Sequence, residues 1–144
     1  MYQVETIYSG YIVGDFPTIT AQQKGITKTG KVYTKPEVKA ARNWLTLQIK
    51  QSLDYTIREA GIGIYAVSIA FGYSVKDKKL WGEFKPTRPD VDNQAKLILD
   101  VMTDLNFWKD DSQVVNLELL KYYSEKSFIK IHVMEITKTE GETL

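Results

Sequence analysis

The sequence predicts an α+β (α/β) domain, a small mixed sheet with two main helices. Three observations carry this. Several segments are rich in Val, Ile and Tyr, as strands are. Two stretches, from Pro36 to about Leu53 and from Asp92 to about Leu105, repeat apolar residues every three or four positions. At 144 residues, the chain has the length of one domain with a real core and shows no internal repeat. The expected order is roughly β-α-β-β-α-β-β, a single domain over residues 1–144.

The first strand is expected from Glu5 to Val13, ended by Gly14-Asp15-Phe16-Pro17. A polar loop follows from Thr18 to Thr34, with Gly25 and Gly30 as turn residues. Pro36 suits the first turn of a helix, in which Ala40, Trp44, Leu47 and Gln51 share a face. Gly61 to Val75 reads as a central strand and Trp81 to Lys85 as its edge partner. Pro86 and Pro89 break the chain, and Asp92 or Asn93 is the expected N-cap of the second helix. That helix buries Leu97, Ile98, Val101 and Leu105. Val114 to Tyr123 and Phe128 to Ile136 are the last strands, with Ile129, Ile131 and Val133 on one side of the final one. The tail, residues 136–144, is expected to fray.

Composition narrows the chemistry. With no cysteine, disulfides, zinc–thiolate sites and cysteine nucleophiles are excluded, and a reducing cytoplasm fits. No signal-peptide pattern is present, and the run from Ile62 to Phe71, interrupted by Gly63 and Ser68, is too short to span a bilayer. The net charge of +1 hides an asymmetry. From Lys24 to Lys50, seven basic residues face one acid, Glu37; from Gln51 onward, 12 basic residues face 15 acids. A basic arm beside an acidic centre suits a polyanionic substrate cut at a cation site. A solvated helix face with a lysine-rich loop explains the charge equally well.

The acids are the sharpest signal. Asp90 and Asp92 precede Lys96, and Asp110 and Asp111 follow a short apolar stretch. Asp92, Lys96, Asp100 and Asp104 fall at i, i+4 spacing and form one helical stripe. Carboxylates crowded this closely repel each other, and a hard divalent cation such as Mg²⁺ relieves that with oxygen ligands. Asp90 can point to the side of Asp92, and Asp110 or Asp111 can complete a three-carboxylate site if the next strand lies beside the helix. Lys96, one turn after Asp92, would stand beside such an ion, an arrangement suited to phosphodiester chemistry. An acidic cap with solvated ion pairs explains Asp92, Lys96 and Asp100, but not three acidic points converging. An EF-hand fails because Ala95 stands where its glycine is needed and Val101 where its closing glutamate is needed. His132, the only histidine, sits mid-strand and reads as structural; no Gly-rich phosphate loop follows a strand. Tyr33, Trp44, Trp81, Phe107 and Trp108 could stack on bases, but core and rim packing is the simpler reading of most of them.

The run Pro89-Asp90-Val91-Asp92-Asn93-x-x-Lys96-x-x-x-Asp100, followed by Phe107-Trp108-Lys109-Asp110-Asp111-x-Gln113-Val114 and Lys121, resembles the RusA family of small, phage-associated Holliday junction resolvases. The resemblance is strong over about residues 86–135. Over the N-terminal half it is limited to Pro17, a basic loop, and Gly30-x-x-Tyr33 before a helix; Thr18-Ile19-Thr20-Ala21 lacks the asparagine often found there. The resemblance implies that Asp90, Asp92 and Asp111 bind Mg²⁺, with Mn²⁺ as a substitute, that Lys96 is the essential lysine, and that Asp110 is a further family acid. It implies a homodimer cutting two opposed strands of a four-way DNA junction, in a bacterial cytoplasm and of phage or prophage origin. The expected DNA contacts are Lys24, Lys28, Lys31, Lys35, Arg88 and Lys121. Competing expectations are a branched-DNA-binding module without catalysis, a flap or fork nuclease, and a dimeric structural protein with an acidic cap.

Overall fold

The computed structural model describes residues 1–16 and 24–139. The Pro17–Ala21 stretch and residues 140–144, singled out in the sequence, lie outside the described residues. Strand β1 (Tyr2–Val13) leads to a small hairpin of β2 (Lys24–Ile26) and β3 (Val32–Thr34). Helix α1 (Pro36–Ser52), β4 (Ile64–Ser74), α2 (Val91–Asp104), β5 (Val114–Ser124) and β6 (Phe128–Lys138) follow. The main sheet runs β1-β6-β4-β5. β6 is antiparallel to both neighbours, and β4 and β5 are parallel, with α2 as their crossover.

The sheet has two unlike faces because side chains alternate along its strands. Tyr65, Val67, Ile69 and Phe71 of β4 and Ile129, Ile131 and Val133 of β6 are buried in one core with the helices. The opposite face carries small residues along β4, namely Ala66, Ser68, Ala70 and Gly72. At Gly72 the reason is local, since an added Cβ would lie 2.0 Å from the ring of Phe128. That ring joins an aromatic row with Tyr11 on one side (5.4 Å between centroids) and Tyr122 on the other (6.3 Å).

Several expectations are corrected. The buried face of α1 is Val38, Ala41, Leu45 and Ile49; of the expected Ala40, Trp44, Leu47 and Gln51, Trp44 packs half-buried against the core, while Leu47 is 53% exposed. Both sets keep helical spacing, but the observed face is aliphatic throughout. Trp81 to Lys85 is not a strand. A 3-10 turn at Lys78–Leu80 capped by Asp77 precedes it, and Phe84 alone bridges to Tyr122. The edge strand beside β4 is β5 instead. The segment read as a loop holds the β2–β3 hairpin, whose three-residue strands are too short to show an alternating pattern. Residues 136–138 do not fray: Tyr2 pairs with Lys138, and Thr139 donates to the Met1 carbonyl at 3.0 Å. The first strand also starts earlier, at Tyr2.

The cap of helix α2 lies two residues earlier than the expected Asp92. Asp90 is the N-cap, in an extended conformation, and its side chain makes no capping hydrogen bond. The helix ends with Asn106 in the left-handed region (φ 70°). The Phe107 N–H donates to Met102 O (3.1 Å) and the Asn106 N–H to Thr103 O (3.1 Å), the two bonds of a Schellman ending. The chain then turns through buried Phe107 and Trp108 toward β5.

Candidate active site

The acidic stripe is real, and its centre is Lys96. The apolar face of α2, with Ala95, Leu97, Ile98, Val101 and Met102 buried, turns Asp92, Lys96, Asp100 and Asp104 outward. The Lys96 ammonium donates to Asp111 Oδ2 at 3.0 Å and lies 3.4 Å from Asp100 Oδ1. This contact joins two regions separated by fifteen residues, the helix and the turn ahead of β5. The hydrogen bond to Asp111 raises the Lys96 pKa above its usual 10.5, helped by the charges of Asp100 and Asp111 and opposed by partial burial.

The turn carrying the second acid pair is built by one glutamine. Asp111–Gln113 forms a 3-10 turn whose N-cap, Asp110, accepts from the Ser112 N–H at 3.2 Å. The Ser112 hydroxyl first, and this backbone bond next, lower the Asp110 pKa. Gln113 Oε1 accepts from the Lys109 and Asp110 N–H groups (2.9 and 3.1 Å), while its Nε2 donates to the Gly61 and Gly63 carbonyls, both at 3.0 Å. All four bonds fall on backbone, so Gln113 pins Asp110 and Asp111 to the start of β4. Sequence reading put Gln113 in a motif but gave it no role.

Asp90 and Asp92 lie at the head of α2, where the helix dipole favours negative charge, and both are exposed. Asp92 stands one turn before Lys96. Among the described residues, no three acidic or histidine side chains stand close enough together to hold a metal ion. The donors are all carboxylate oxygens, the kind a hard divalent cation takes. The set fits such an ion in chemistry, while in this conformation Asp111 is turned onto Lys96 rather than grouped with Asp90 and Asp92.

The basic residues divide into two groups. Lys28 and Lys31 are exposed in the turn of the β2–β3 hairpin, and Lys35 is exposed at the N-cap of α1. Lys24 opens β2, and Arg88 is exposed just ahead of Asp90. Lys121 is half-buried, and its ammonium donates to the Pro89 carbonyl at 2.8 Å and to that of Thr87. Arg42 of α1, read from sequence as part of a basic surface, reaches Asp100 (3.6 Å) and Asp104 (3.5 Å) instead. Its signal was the positive charge of α1 set against the acidic stripe of α2.

His132 is structural, with Nε2 2.8 Å from Thr6 Oγ1. Trp108 is fully buried and donates to Thr103 Oγ1 at 2.8 Å, and Phe107 is buried beside it. A cleft of about 480 Å³ lies at the far end of α2 from Asp90, between Leu53, Tyr55, Ile57, Leu105 and Asn106, and of the acidic stripe it takes in Asp104 but not Asp92, Lys96 or Asp100.

The family model described as Endodeoxyribonuclease RusA matches residues 15–134. A Lactococcus phage r1t protein named as crossover junction endodeoxyribonuclease rusA is 36% identical over 118 residues, covering 81% of this chain and 89% of that protein. A Bacillus subtilis (strain 168) protein, YqaN, described as uncharacterized, is 28% identical over 131 residues, covering 84% of this chain and 92% of its own. The match runs from the end of β1 well into β6 and takes in α2, the acidic turn and Lys121, so this chain belongs to the RusA family of endodeoxyribonucleases.

Proposed function

We propose that this chain is a structure-selective endodeoxyribonuclease, a crossover junction resolvase that makes paired symmetric nicks in four-way DNA junctions during recombination and repair. The observation that carries it is the Lys96–Asp111 contact, which unites the two acidic signatures around one cation. Asp90, Asp92 and Asp111 are the proposed ligands of Mg²⁺, replaceable by Mn²⁺, with Asp110 beside them. A divalent ion bound there would supply an activated water and screen phosphate charge.

The chain's own groups do the rest. Lys96 keeps its proton at neutral pH, as the direction of its shift requires. It therefore serves as a fixed positive charge against the extra negative charge that develops on the attacked phosphate, and not as a base. Lys28, Lys31 and Lys35, with Lys24 and Arg88, would contact the junction arms through phosphates, giving structure-selective and salt-sensitive binding.

A homodimer would present this site twice, matching two opposed strands. The helix-free face of the sheet supports that reading. Exposed apolar side chains stand on it, with Tyr11 60%, Val13 51%, Ile64 44% and Phe84 69% exposed. The same face carries an open groove over Ser68 and Ala70, lined by Glu118 and Lys130, a charge pair that a two-fold axis can satisfy twice.

The test compares four-way junction, flap and linear duplex DNA with purified protein, with and without Mg²⁺, beside a light-scattering mass. Expected are Mg²⁺-dependent paired nicks in the junction and a mass near twice 16.5 kDa. Preferred cutting of flaps would make it a fork or flap nuclease. Junction binding without nicks in either Mg²⁺ or Mn²⁺ would make it a non-catalytic branched-DNA module. A monomer mass would remove the two-fold argument. Localisation in a bacterial cytoplasm follows from the same reading, and a protein found only outside the cell would contradict it.

A further inference from the structure

We propose that Lys121 is a positioning residue that, together with Lys85, holds the Thr87–Pro89 segment and so sets where Asp90 presents its carboxylate at the head of α2. This rests on the reading of Asp90 as a site carboxylate.

Lys121 lies in β5 in register with Phe71, on the core-facing side of the sheet. That is an expensive place for an ammonium unless its donors are used. Two of its three donors go to the carbonyls of Thr87 and Pro89, the latter at 2.8 Å. Lys85 takes the carbonyl between them, Arg88 O, at 2.8 Å, and also donates to Thr87 Oγ1. Its ammonium stands 5.3 Å from the Tyr73 ring centroid and 5.6 Å from that of Tyr123. Three consecutive carbonyls are therefore held by two lysines.

The segment needs them. Glu83–Lys85 is tied to β5 by backbone bonds, Tyr123 N–H to Glu83 O at 2.9 Å and Lys85 N–H to Lys121 O at 3.0 Å. Pro86 and Pro89 carry no N–H, and the ladder stops at Lys85. Asp90 comes next, and its carbonyl accepts the first helical bond, from Gln94 N–H at 3.1 Å. The chain between Lys85 and the start of α2 is thus fixed through side-chain ammoniums. A lysine committed to protein carbonyls has little capacity left for a DNA phosphate, so the same residue separates two roles that experiment can distinguish.

The test compares Lys121→Met, Lys121→Arg, Lys85→Met and Lys28→Ala, with Asp90→Asn as reference. The readouts are junction affinity and its salt slope without divalent metal, Mg²⁺ binding by calorimetry, kcat, and amide hydrogen exchange over residues 87–94. Lys121→Met is expected to keep junction affinity and salt slope. Its kcat and Mg²⁺ affinity should fall about 10–100-fold, as for a residue that orients a metal ligand. Exchange at 87–94 should rise, and Lys121→Arg should recover much of the loss. Lys85→Met should behave alike, which keeps the test open should Lys121→Met fold poorly. Weaker junction binding by Lys121→Met with a salt slope reduced by about 1, as expected for Lys28→Ala, would overturn the proposal and make Lys121 a phosphate contact. Wild-type kcat and exchange in both Met variants, with Asp90→Asn inactive, would overturn it while leaving the site reading intact. An active Asp90→Asn would remove the site reading itself.

Discussion

Lys96 links Asp100 to Asp111, and its charge has a predictable pH range. Its pKa is raised by Asp111 first and by Asp100 next. A raised folded pKa means that its contribution to stability is complete below the unfolded value near 10.5 and is lost as pH climbs through the higher folded value. Titration of wild-type protein should therefore show no Lys96-linked loss of stability between pH 6 and pH 9. Lys96→Met should remove junction cleavage across that whole range while leaving junction binding measurable. Cleavage by Lys96→Met that rises with pH would contradict the fixed-charge role, because it would place the critical ionisation elsewhere. Asp92, Lys96 and Asp100 were legible as neighbours from i, i+4 spacing alone. The Lys96–Asp111 bond was not, since it depends on where β5 begins relative to α2. The role of Gln113, visible in sequence only as a motif member, was hidden for the same reason: its four partners are backbone groups of Gly61, Gly63, Lys109 and Asp110.

At the scale of elements, α2 carries most of the proposed site residues, and its two ends set its register. The front is held by Asp90 in the cap and the lysines behind it, and the back by the left-handed turn at Asn106. Asn106 also donates from Nδ2 to Ile57 O at 3.1 Å, tying the helix end to the segment ahead of β4. Asn106→Leu should destabilise the protein by about 1–2 kcal/mol, because a branched side chain is strained at positive φ. Asn106→Gly should cost less, losing the Ile57 bond but relieving the backbone. Urea denaturation of the two variants checks this, and a Leu variant as stable as the Gly variant would contradict the capping account. The sequence showed α2 well because its aliphatic residues recur on one face while charges fill the other. On α1 it misled in part: Trp44 of the expected face packs against the core, but the fully buried face is the aliphatic set at 38, 41, 45 and 49. It also misled at Trp81–Lys85, where aromatic content suggested a strand but Gly82 takes a positive φ of 87° and only Phe84 pairs.

Across the whole molecule, one sheet has two unlike faces. The helix-covered face builds the core and carries α2. The other face, with small residues along β4 and exposed aromatics at its rim, is the one proposed to receive a second copy. The basic residues of the 24–34 hairpin and the acids at the head of α2 sit on different elements. The pairing of strands far apart in sequence, β1 with β6 and β4 with β5, could not be read from local pattern, although the fold class could.

The most direct measurement is cleavage of a synthetic four-way junction in Mg²⁺ by wild type and Asp90→Asn, with junction binding followed in parallel. The account predicts paired nicks by wild type and none by Asp90→Asn, which should bind the junction as wild type does. Normal cutting by Asp90→Asn would contradict it, whatever family the chain belongs to.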